Sequence, residues 1–237
     1  MDEEGNGKQP SQVISVGVLS ANLMNLGADL ATLEQCGVRM LHFDCMDGHF
    51  APSLTAGVPF VKAVKTSMYK DVHLLVNDPI PMIPDFIAAG ADMITVHYES
   101  TPHVHRALQM ISEMENVNDP ERGIVRGIAL NPGTPFFAVE PLLDEVEVVL
   151  LVAVNAAYPK QKFIEATKRK FGSLRKLIDD SGKGILIGID GGITKSNISE
   201  IASLGPDIIV TGSAVFENAM IKENLAEMNA CLNVTEE

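Results

Sequence analysis

The chain has 237 residues, of which 46% are hydrophobic and 21% are charged, and its formal net charge is −13. That length is typical of a single barrel of alternating strands and helices, for which about 250 residues is the norm, so we expect one domain. The negative charge argues against nucleic acid and anionic membranes as partners, because both bind basic surfaces. An anionic small molecule would instead need local backbone N–H groups, helix N-termini or a metal ion.

The amino-terminal residues and the cysteines favour a cytoplasmic protein. Residues 1–10 are acidic and polar and lack an apolar stretch, so we expect neither a signal peptide nor a transit peptide. We predict a flexible tail over 1–12, followed by one barrel domain over 13–237. The three cysteines contain no Cys-x-x-Cys pair, which favours a reducing compartment. No apolar run approaches the roughly 20 residues that span a bilayer.

Strand-like and helix-like segments alternate along the chain. Eight strands are predicted, at 13–20, 40–45, 71–76, 93–97, 124–130, 147–154, 185–190 and 207–211. Helical stretches are predicted at 28–36, 79–89, 103–115, 135–144, 161–180, 195–204 and 217–231. This repeated alternation predicts a single closed parallel (β/α)8 barrel rather than an open doubly wound sheet.

Turns and loops between these elements support the same architecture. The turns Ala89-Gly90-Ala91-Asp92 and Leu204-Gly205-Pro206-Asp207 look alike, which is consistent with a repeated helix-to-strand unit. The polar segment 115–123 is longer than a minimal connection, and we predict that it is an exposed loop remote from the chemistry.

Four side chains that can bind a metal or transfer protons are predicted near the ends of three strands. His42 and Asp44 share one face of the second strand, because they lie two residues apart. On the third strand His73 shares a face with Asp71, and Asp190 ends the seventh strand. Because the apolar faces pack against helices, we expect these polar side chains to point into the barrel or above it.

This set of side chains has two interpretations. Two imidazoles and two carboxylates form a suitable ligand set for one divalent ion, Zn²⁺, Fe²⁺ or Mn²⁺. They suit Ca²⁺ poorly, because that ion prefers oxygen ligands alone. The alternative is that each His and Asp at a strand end belongs to a hydrogen-bonded structural pair.

Glycines follow the seventh and eighth strands, at Gly191 and Gly192 and at Gly212 before Ser213. Glycine lets the backbone approach a phosphate closely, and phosphate sites in barrels often form after these two strands. We therefore predict a phosphate site here, while ordinary turn glycines remain the alternative.

Seven ordered motifs between about Ile14 and Phe216 resemble the ribulose-phosphate 3-epimerase family. The motifs are Leu19-Ser20-Ala21-Asn22, His42-x-Asp44-x-Met46-Asp47-Gly48-His49-Phe50, Asp71-Val72-His73-Leu74, Ile94-Thr95-Val96-His97-x-Glu99, Ala129-Leu130-Asn131-Pro132-x-Thr134-Pro135, Asp190-Gly191-Gly192-Ile193 and Gly212-Ser213-Ala214-x-Phe216. No motif is specific alone, but the ordered set is highly specific.

The resemblance implies a TIM barrel with one catalytic divalent metal ion. Its ligands would be His42, Asp44, His73 and Asp190, with Asp44 and Asp190 also acting as acid and base. The substrate would be a small sugar phosphate. Taking the glycine pattern and the residues of this chain together, we predict that it is bound by His73, Met46, Gly191, Gly192, Gly212, Ser213 and Lys160. We also expect a homo-oligomer.

The implied reaction interconverts D-ribulose 5-phosphate and D-xylulose 5-phosphate by inversion at C3. The C3 proton lies α to the C2 ketone, and its removal gives an enediolate whose charge a metal ion can stabilise. Inversion requires that a proton return to the opposite face. Strands two and seven lie three positions apart in a ring of eight, so Asp44 and Asp190 can flank the substrate from both sides.

Several positions depart from the family pattern. Gly17 stands where members usually carry Ser, which removes a hydroxyl that contacts the substrate. Two of the methionines that line the site are replaced, by Leu75 and Ala153. The family lid Asn-Pro-Gly-Phe-Gly-Gly-Gln is altered over 155–161, where the point charge of Lys160 could replace lost glycine contacts to phosphate.

These departures indicate a divergent epimerase and leave alternatives open. Small residues at Gly17 and Ala153 favour a second substrate class, such as a ketohexose 6-phosphate. A non-catalytic barrel that binds a sugar phosphate or a protein is disfavoured, because all four ligand types are retained. A metal-free lyase or isomerase would leave His42 and His73 without a role.

Overall fold

Eight parallel strands follow one another in sequence order around a closed ring. The computed structural model describes residues 12–158 and 161–232. The strands are β1 (Val13–Gly17), β2 (Met40–Met46), β3 (Tyr69–Leu75), β4 (Met93–His97), β5 (Val125–Leu130), β6 (Val148–Val152), β7 (Leu186–Asp190) and β8 (Ile208–Thr211). Each strand is hydrogen-bonded to the next, and β8 pairs with β1. The predicted single (β/α)8 TIM barrel is confirmed.

Helices connect the strands on the outside of the barrel. The α-helices are α1 (Leu26–Gln35), α2 (Val58–Ala63), α3 (Ile83–Ala88), α4 (Val104–Ser112), α5 (Ala166–Ser181), α6 (Ile198–Ser203) and α7 (Ile221–Asn229). Shorter 3-10 helices lie at Val18–Ser20, Leu23–Asn25, Tyr98–Ser100, Phe136–Leu142 and Glu217–Ala219. None of the helices in the described ranges is long and apolar enough to cross a membrane.

Two connections differ from the prediction. The helix expected over 135–144 is a 3-10 helix, and Pro141 inside it lacks the backbone N–H that an α-helix would use. Between β2 and β3 the alternation implies a helix for which no bounds were predicted, and the six-residue α2 lies there with Pro59 in its first turn. A helix of this length contains too few turns for its periodicity to be recognised.

Alternation along the strands separates the inside of the barrel from the core between strands and helices. On β2, Leu41, Phe43 and Cys45 are buried in the large apolar cluster that includes the helices. A second, smaller cluster takes alternate residues of four other strands, namely Met93, Ala129, Val148, Leu150, Val152, Ile208 and Val210. The face of β2 opposite its apolar residues therefore directs polar side chains into the barrel.

Three carboxylates link neighbouring strands at the amino-terminal end of the barrel. Each directly precedes a strand and accepts a backbone N–H from the strand before it: Asp92 from Lys70 (2.9 Å), Glu147 from Arg126 (2.7 Å) and Asp207 from Ile187 (2.7 Å). Each carboxylate also pairs with a guanidinium, from Arg122, Arg126 and Arg175 respectively. The two similar turns in the sequence therefore end in aspartates that make equivalent contacts.

Segment 115–123 lies at this same end of the barrel, away from the carboxyl ends of the strands. Its predicted exposure is wrong at Asn116, which is completely buried. The side-chain amide of Asn116 donates to Asp92 Oδ1 at 3.2 Å and to the Gly123 carbonyl at 3.0 Å. The loop is thus part of the network that holds β3 against β4. Homo-oligomerisation, cytoplasmic location and a separate tail over 1–12 stay predictions.

Replacing Asp92 with Ala should destabilise the barrel without touching the opposite end. The change leaves the Lys70 N–H and the Asn116 amide without their charged acceptor, so we expect a loss of about 2–4 kcal/mol in the free energy of unfolding. The measurement is urea denaturation followed by circular dichroism. Asp119→Ala is the control, because Asp119 is half exposed and only approaches Arg122 at 3.9 Å. An equal loss in both variants would contradict this account.

Candidate active site

The carboxyl ends of β2, β3 and β7 bring four side chains together. His42, Asp44, His73 and Asp190 each offer one atom, and these four atoms lie within 4.8 Å of one another. Asp44 Oδ1 lies 3.2 Å from His42 Nε2 and 3.3 Å from His73 Nδ1. Asp190 Oδ2 lies 3.8 Å from the same His73 nitrogen. All four residues predicted as ligands are therefore neighbours in the fold.

In His42 and His73, the ring nitrogen that faces away from the cluster contacts another side chain. His42 Nδ1 lies 2.6 Å from Asp71 Oδ2, an oxygen that also accepts the Ser15 hydroxyl at 3.1 Å. His73 Nε2 lies 2.9 Å from Nε2 of His97. With these nitrogens occupied, each ring turns its other nitrogen toward the cluster, which is the usual arrangement of metal-binding histidines.

Burial and mutual repulsion set the charges of the cluster. Burial, together with the negative charges of Asp44 and Asp71, raises the pKa of Asp190 to about 7. Burial also raises the pKa of Asp44, but the charge and hydrogen bond of His42 outweigh it and hold that pKa well below its usual range. Burial lowers the pKa of His73 to about 4, although the nearby Asp44 carboxylate opposes this shift. Carboxylates crowded at one buried point repel each other, and either a bound cation or protonation of one of them relieves that repulsion.

The donor set fits a divalent metal ion. Among the described residues, His73 Nδ1 is buried without a hydrogen-bond partner, although Asp44 Oδ1 lies 3.3 Å away. Two ligand atoms at about 2.0 Å from a tetrahedral ion lie about 3.3 Å apart, which matches the 3.2 Å and 3.3 Å distances from Asp44 Oδ1 to His42 Nε2 and His73 Nδ1. An ion at this point would satisfy the orphaned nitrogen and relieve the repulsion between Asp44 and Asp190.

The glycines after β7 and β8 are required by close packing. Gly191 and Gly192 have φ of 100° and 69°, a region that side chains rarely adopt. A Cβ on Gly192 would lie 2.5 Å from the backbone nitrogen of Phe163, and one on Gly212 would lie 2.6 Å from the Gly17 carbonyl oxygen. The packing of neighbouring loops therefore explains these glycines by itself, and their contact with phosphate stays a prediction.

The remaining predicted residues lie around this opening or outside the described ranges. Met46 is half-buried at the end of β2, and Ser213 is exposed just after β8. Lys160 lies outside the described residues. Ala153 is completely buried in the core between strands and helices, so its small size does not enlarge the opening. Leu75 is buried at the end of β3 beside Met46.

The loop after β6 is held by the two residues at its ends. The Gln161 side-chain oxygen accepts the backbone N–H of Asn155 at 2.9 Å, and its amide donates to the Asn155 carbonyl. The same amide donates to the Tyr158 carbonyl at 3.0 Å. Gln161 therefore closes the described part of the loop as a ring.

Comparison with known proteins decides the family. The sequence model of the Ribulose-phosphate 3 epimerase family matches residues 13–216. The chain belongs to this family. It is 36% identical to the ribulose-phosphate 3-epimerase of Bacillus subtilis over 218 residues, which cover 91% of this chain and 97% of the relative. It is 38% identical to the ribulose-phosphate 3-epimerase of Escherichia coli K12 over 221 residues, covering 92% and 95%.

A chloroplast protein is also among the relatives of this epimerase-family chain. The ribulose-5-phosphate-3-epimerase of Arabidopsis thaliana is 39% identical over 208 residues, covering 86% of this chain and 71% of the relative. Proteins with these names are isomerases. The family resemblance inferred from the sequence motifs is therefore confirmed.

Solved structures of more distant proteins share the fold of the epimerase-family chain. The 3-hexulose-6-phosphate synthase of Salmonella typhimurium superposes with a TM-score of 0.67 at 16% identity, covering 93% of this chain and 98% of that chain. KGPDC of Streptococcus mutans superposes with a TM-score of 0.66 at 13% identity, covering 93% and 97%. At these identities the likeness supports the barrel fold alone.

No role was assigned from the sequence to three residues next to the cluster, Asp71, His97 and Glu99. All three belong to the family motifs, and the strand pattern adds only that Asp71 shares a face with His73. A local signal for the last two exists: His97-x-Glu99 repeats the spacing of His42-x-Asp44 at a strand end. Nothing in the local sequence indicates that Asp71 contacts His42, since they belong to different strands.

A divalent ion should stabilise this protein. With free Zn²⁺ or Mn²⁺ at about 100-fold above Kd, binding adds about 2.7 kcal/mol to the free energy of unfolding. For a chain of this size that raises Tm by about 5–10 °C. The measurement is calorimetry on chelator-treated protein before and after adding the ion.

A matched pair of variants locates the ion. Asp190→Asn should lose most of the shift in Tm, because a neutral amide replaces one of the two charged carboxylate ligands. Asp85→Asn, an exposed carboxylate on α3, should keep the shift. An undiminished shift in Asp190→Asn would mean that the ion binds elsewhere.

Proposed function

We propose that this chain is a metal-dependent 3-epimerase that interconverts D-ribulose 5-phosphate and D-xylulose 5-phosphate. One observation carries the proposal: a member of the ribulose-phosphate 3-epimerase family has two imidazoles and two carboxylates that offer atoms within 4.8 Å of one another. Its relatives in Bacillus subtilis and Escherichia coli are ribulose-phosphate 3-epimerases. A non-catalytic barrel would gain nothing from a cluster in which two carboxylates repel each other.

One divalent ion, Zn²⁺, Fe²⁺ or Mn²⁺, would be held by His42, Asp44, His73 and Asp190. When bound, it supplies Lewis-acid stabilisation of negative charge on the substrate oxygens at C2 and C3. The neutral imidazole nitrogens and the two carboxylates would form a mixed ligand set. The negative charge of the carboxylates would offset part of the positive charge of the ion.

The two aspartates would exchange protons with C3. In one direction the Asp44 carboxylate removes the C3 proton from one face of the substrate, and the resulting enediolate is planar at C3. The Asp190 carboxyl then donates a proton to the opposite face, which inverts the configuration. In the reverse direction the two residues exchange roles.

Exposure supports this division of labour between imidazoles and carboxylates. The His42 and His73 side chains are fully buried, whereas the Asp44 and Asp190 side chains are 25% and 17% exposed. A substrate that enters from the carboxyl end of the barrel would therefore reach the aspartates. Because Asp44 belongs to β2 and Asp190 to β7, the two carboxylates would approach it from different sides of the ring.

The substrate phosphate would bind where the loops after β7 and β8 meet. Thr211 Oγ1 donates to the Ile193 carbonyl at 3.2 Å, which ties the two loops side by side. Gly192 and Gly212 have no side chain that would keep a phosphate away from their backbone N–H groups. Backbone N–H groups can hold a phosphate although the protein as a whole carries a net charge of −13.

A second candidate is the same epimerisation of a ketohexose 6-phosphate. One observation favours it: a Cβ built on Gly17 would make only ordinary contacts, of 3.5 Å or more, with Gly212 and Thr211. The site therefore has room for one substituent at Gly17. The burial of Ala153 in the outer core removes the other argument for a larger substrate.

The experiment that tests the proposed function is proton NMR in D₂O with a panel of ketose phosphates. Loss of the C3 proton signal of D-ribulose 5-phosphate, with appearance of D-xylulose 5-phosphate, is the expected result. Treatment with a chelator should abolish the exchange, and Zn²⁺ or Mn²⁺ should restore it. Faster exchange with a ketohexose 6-phosphate would favour the second candidate, and unchanged exchange in metal-free protein would overturn the metal-dependent mechanism.

Replacing either aspartate should stop interconversion but leave one-sided exchange. We expect Asp44→Asn and Asp190→Asn to lower the interconversion rate by about 10²–10⁴-fold. Each metal-loaded variant should still exchange the C3 proton of one epimer with solvent, and the two variants should act on opposite epimers. Metal content is determined first, because both residues are proposed ligands. A variant that interconverts the epimers at near the wild-type rate would exclude its aspartate from proton transfer.

Gly17→Ser should improve the binding of D-ribulose 5-phosphate. The position accepts a side chain, and one added hydrogen bond lowers KM by about 2–10-fold. Gly17→Ala is the control, because it adds the Cβ without the hydroxyl. Equal KM values in the two variants would show that a hydroxyl at this position does not contact the substrate, and a higher KM in both would show that the space at Gly17 is needed.

A further inference from the structure

A chain of hydrogen bonds extends from His73 to the loop after β5. His73 Nε2 lies 2.9 Å from His97 Nε2, and His97 Nδ1 lies 3.1 Å from Glu99 Oε2. The planes of the two rings differ by only 19°, so an N–H of one can point at the lone pair of the other. Both rings are fully buried, and Phe50 covers His97 with its ring centroid 4.7 Å away. Water has little access to either ring.

Glu99 is anchored through its other oxygen. Glu99 Oε1 accepts the backbone N–H of Asn131 at 2.9 Å and the hydroxyl of Thr134. Lys170 Nζ donates to the Asn131 carbonyl at 2.7 Å and so fixes this loop from α5. Burial raises the pKa of Glu99, but the hydrogen bonds from His97, Thr134 and Asn131 outweigh it and hold that pKa at about 2. Glu99 is therefore ionised at neutral pH and can only accept.

These contacts determine where the protons lie. A carboxylate at Glu99 requires the proton of His97 on Nδ1, which leaves a lone pair on His97 Nε2. That lone pair requires the proton of His73 on Nε2. His73 Nδ1 then carries a lone pair, and it is the buried nitrogen that faces Asp44 and Asp190 without a hydrogen-bond partner.

We propose that His97 and Glu99 are positioning residues that hold His73 in the tautomer whose Nδ1 lone pair faces the metal-binding cluster. The inference rests on the proposed function for its purpose, but the tautomer exists independently of any substrate. It also assigns a role to the motifs His97-x-Glu99 and Asn131-Pro132-x-Thr134, which lie outside the four predicted ligands.

The variant Glu99→Gln separates tautomer from shape. The Asn131 N–H requires an oxygen at the Oε1 position, so the new amide nitrogen must face His97 Nδ1. A donor there moves the His97 proton to Nε2, and His73 must then carry its own proton on Nδ1. The metal-facing nitrogen would be blocked although every heavy atom stays in place.

Nitrogen-15 NMR of histidine-labelled full-length protein measures these tautomers directly, without substrate and without metal. In the wild type we expect His73 protonated on Nε2 and His97 on Nδ1. In Glu99→Gln we expect both rings to change to the opposite tautomer. A wild-type His73 protonated on Nδ1 would overturn the proposal, and this result does not require any variant to fold.

Metal affinity is the second measurement. Competition with a chromophoric chelator should show Zn²⁺ binding weakened by about 10–100-fold in Glu99→Gln. Thr134→Val is the control within the network, because it removes one donor to Glu99 but leaves the carboxylate facing His97, and its tautomers should not change. Glu147→Gln is the control at the opposite end of the barrel. Unchanged tautomers and unchanged affinity in Glu99→Gln would reject the positioning role.

The results distinguish this inference from the proposed function. If the tautomers behave as expected but no ketose phosphate is epimerised, the positioning role of His97 and Glu99 is supported and the proposed reaction is rejected. If C3 exchange occurs while Glu99→Gln changes neither the tautomers nor the metal affinity, the proposed reaction is supported and the positioning role is rejected.

Discussion

The hydrogen bond between His42 Nδ1 and Asp71, 2.6 Å long, is the constraint on which the rest of the site depends. It fixes the orientation of the His42 ring, so that the other ring nitrogen, Nε2, must face Asp44 at the barrel opening. The contact follows from the register of β2 and β3, which places His42 directly beside Asp71 and Asp44 directly beside His73. A shift of β2 by one residue would turn His42 and Asp44 to the outer face, where helices pack.

The site places several carboxylates close together in a buried region of a protein that already has a net negative charge. Asp44, Asp71 and Asp190 approach one another in a buried region, and burial together with this repulsion raises the pKa of Asp190 to about 7. Natural proteins keep such groups together when a cation or a reaction uses them. At the opposite end of the barrel the buried carboxylates have partners within the protein. Asp92 and Asp207 each pair with a guanidinium and accept a backbone N–H.

Local patterns in the sequence were sufficient to predict the barrel and the four clustered residues. On β2 the apolar face of Leu41 and Phe43 opposes the polar face of His42 and Asp44, and this alternation requires no knowledge of the neighbours. Contacts that depend on inter-strand register, such as His42 with Asp71, could not be predicted from a single sequence. The same holds for Asn116, whose polarity suggested an exposed loop although its amide is satisfied inside the protein by a carboxylate.

We propose that one divalent ion binds between the His42 and His73 rings and the two aspartates. X-ray absorption spectroscopy of protein loaded with one equivalent of Zn²⁺ distinguishes this site from others, because the method reports the ligand atoms themselves. We expect a shell of nitrogen and oxygen at about 2.0–2.2 Å, with the outer-shell scattering of two imidazoles. A sulfur ligand at about 2.3 Å, or a shell of oxygen alone without imidazole, would contradict it.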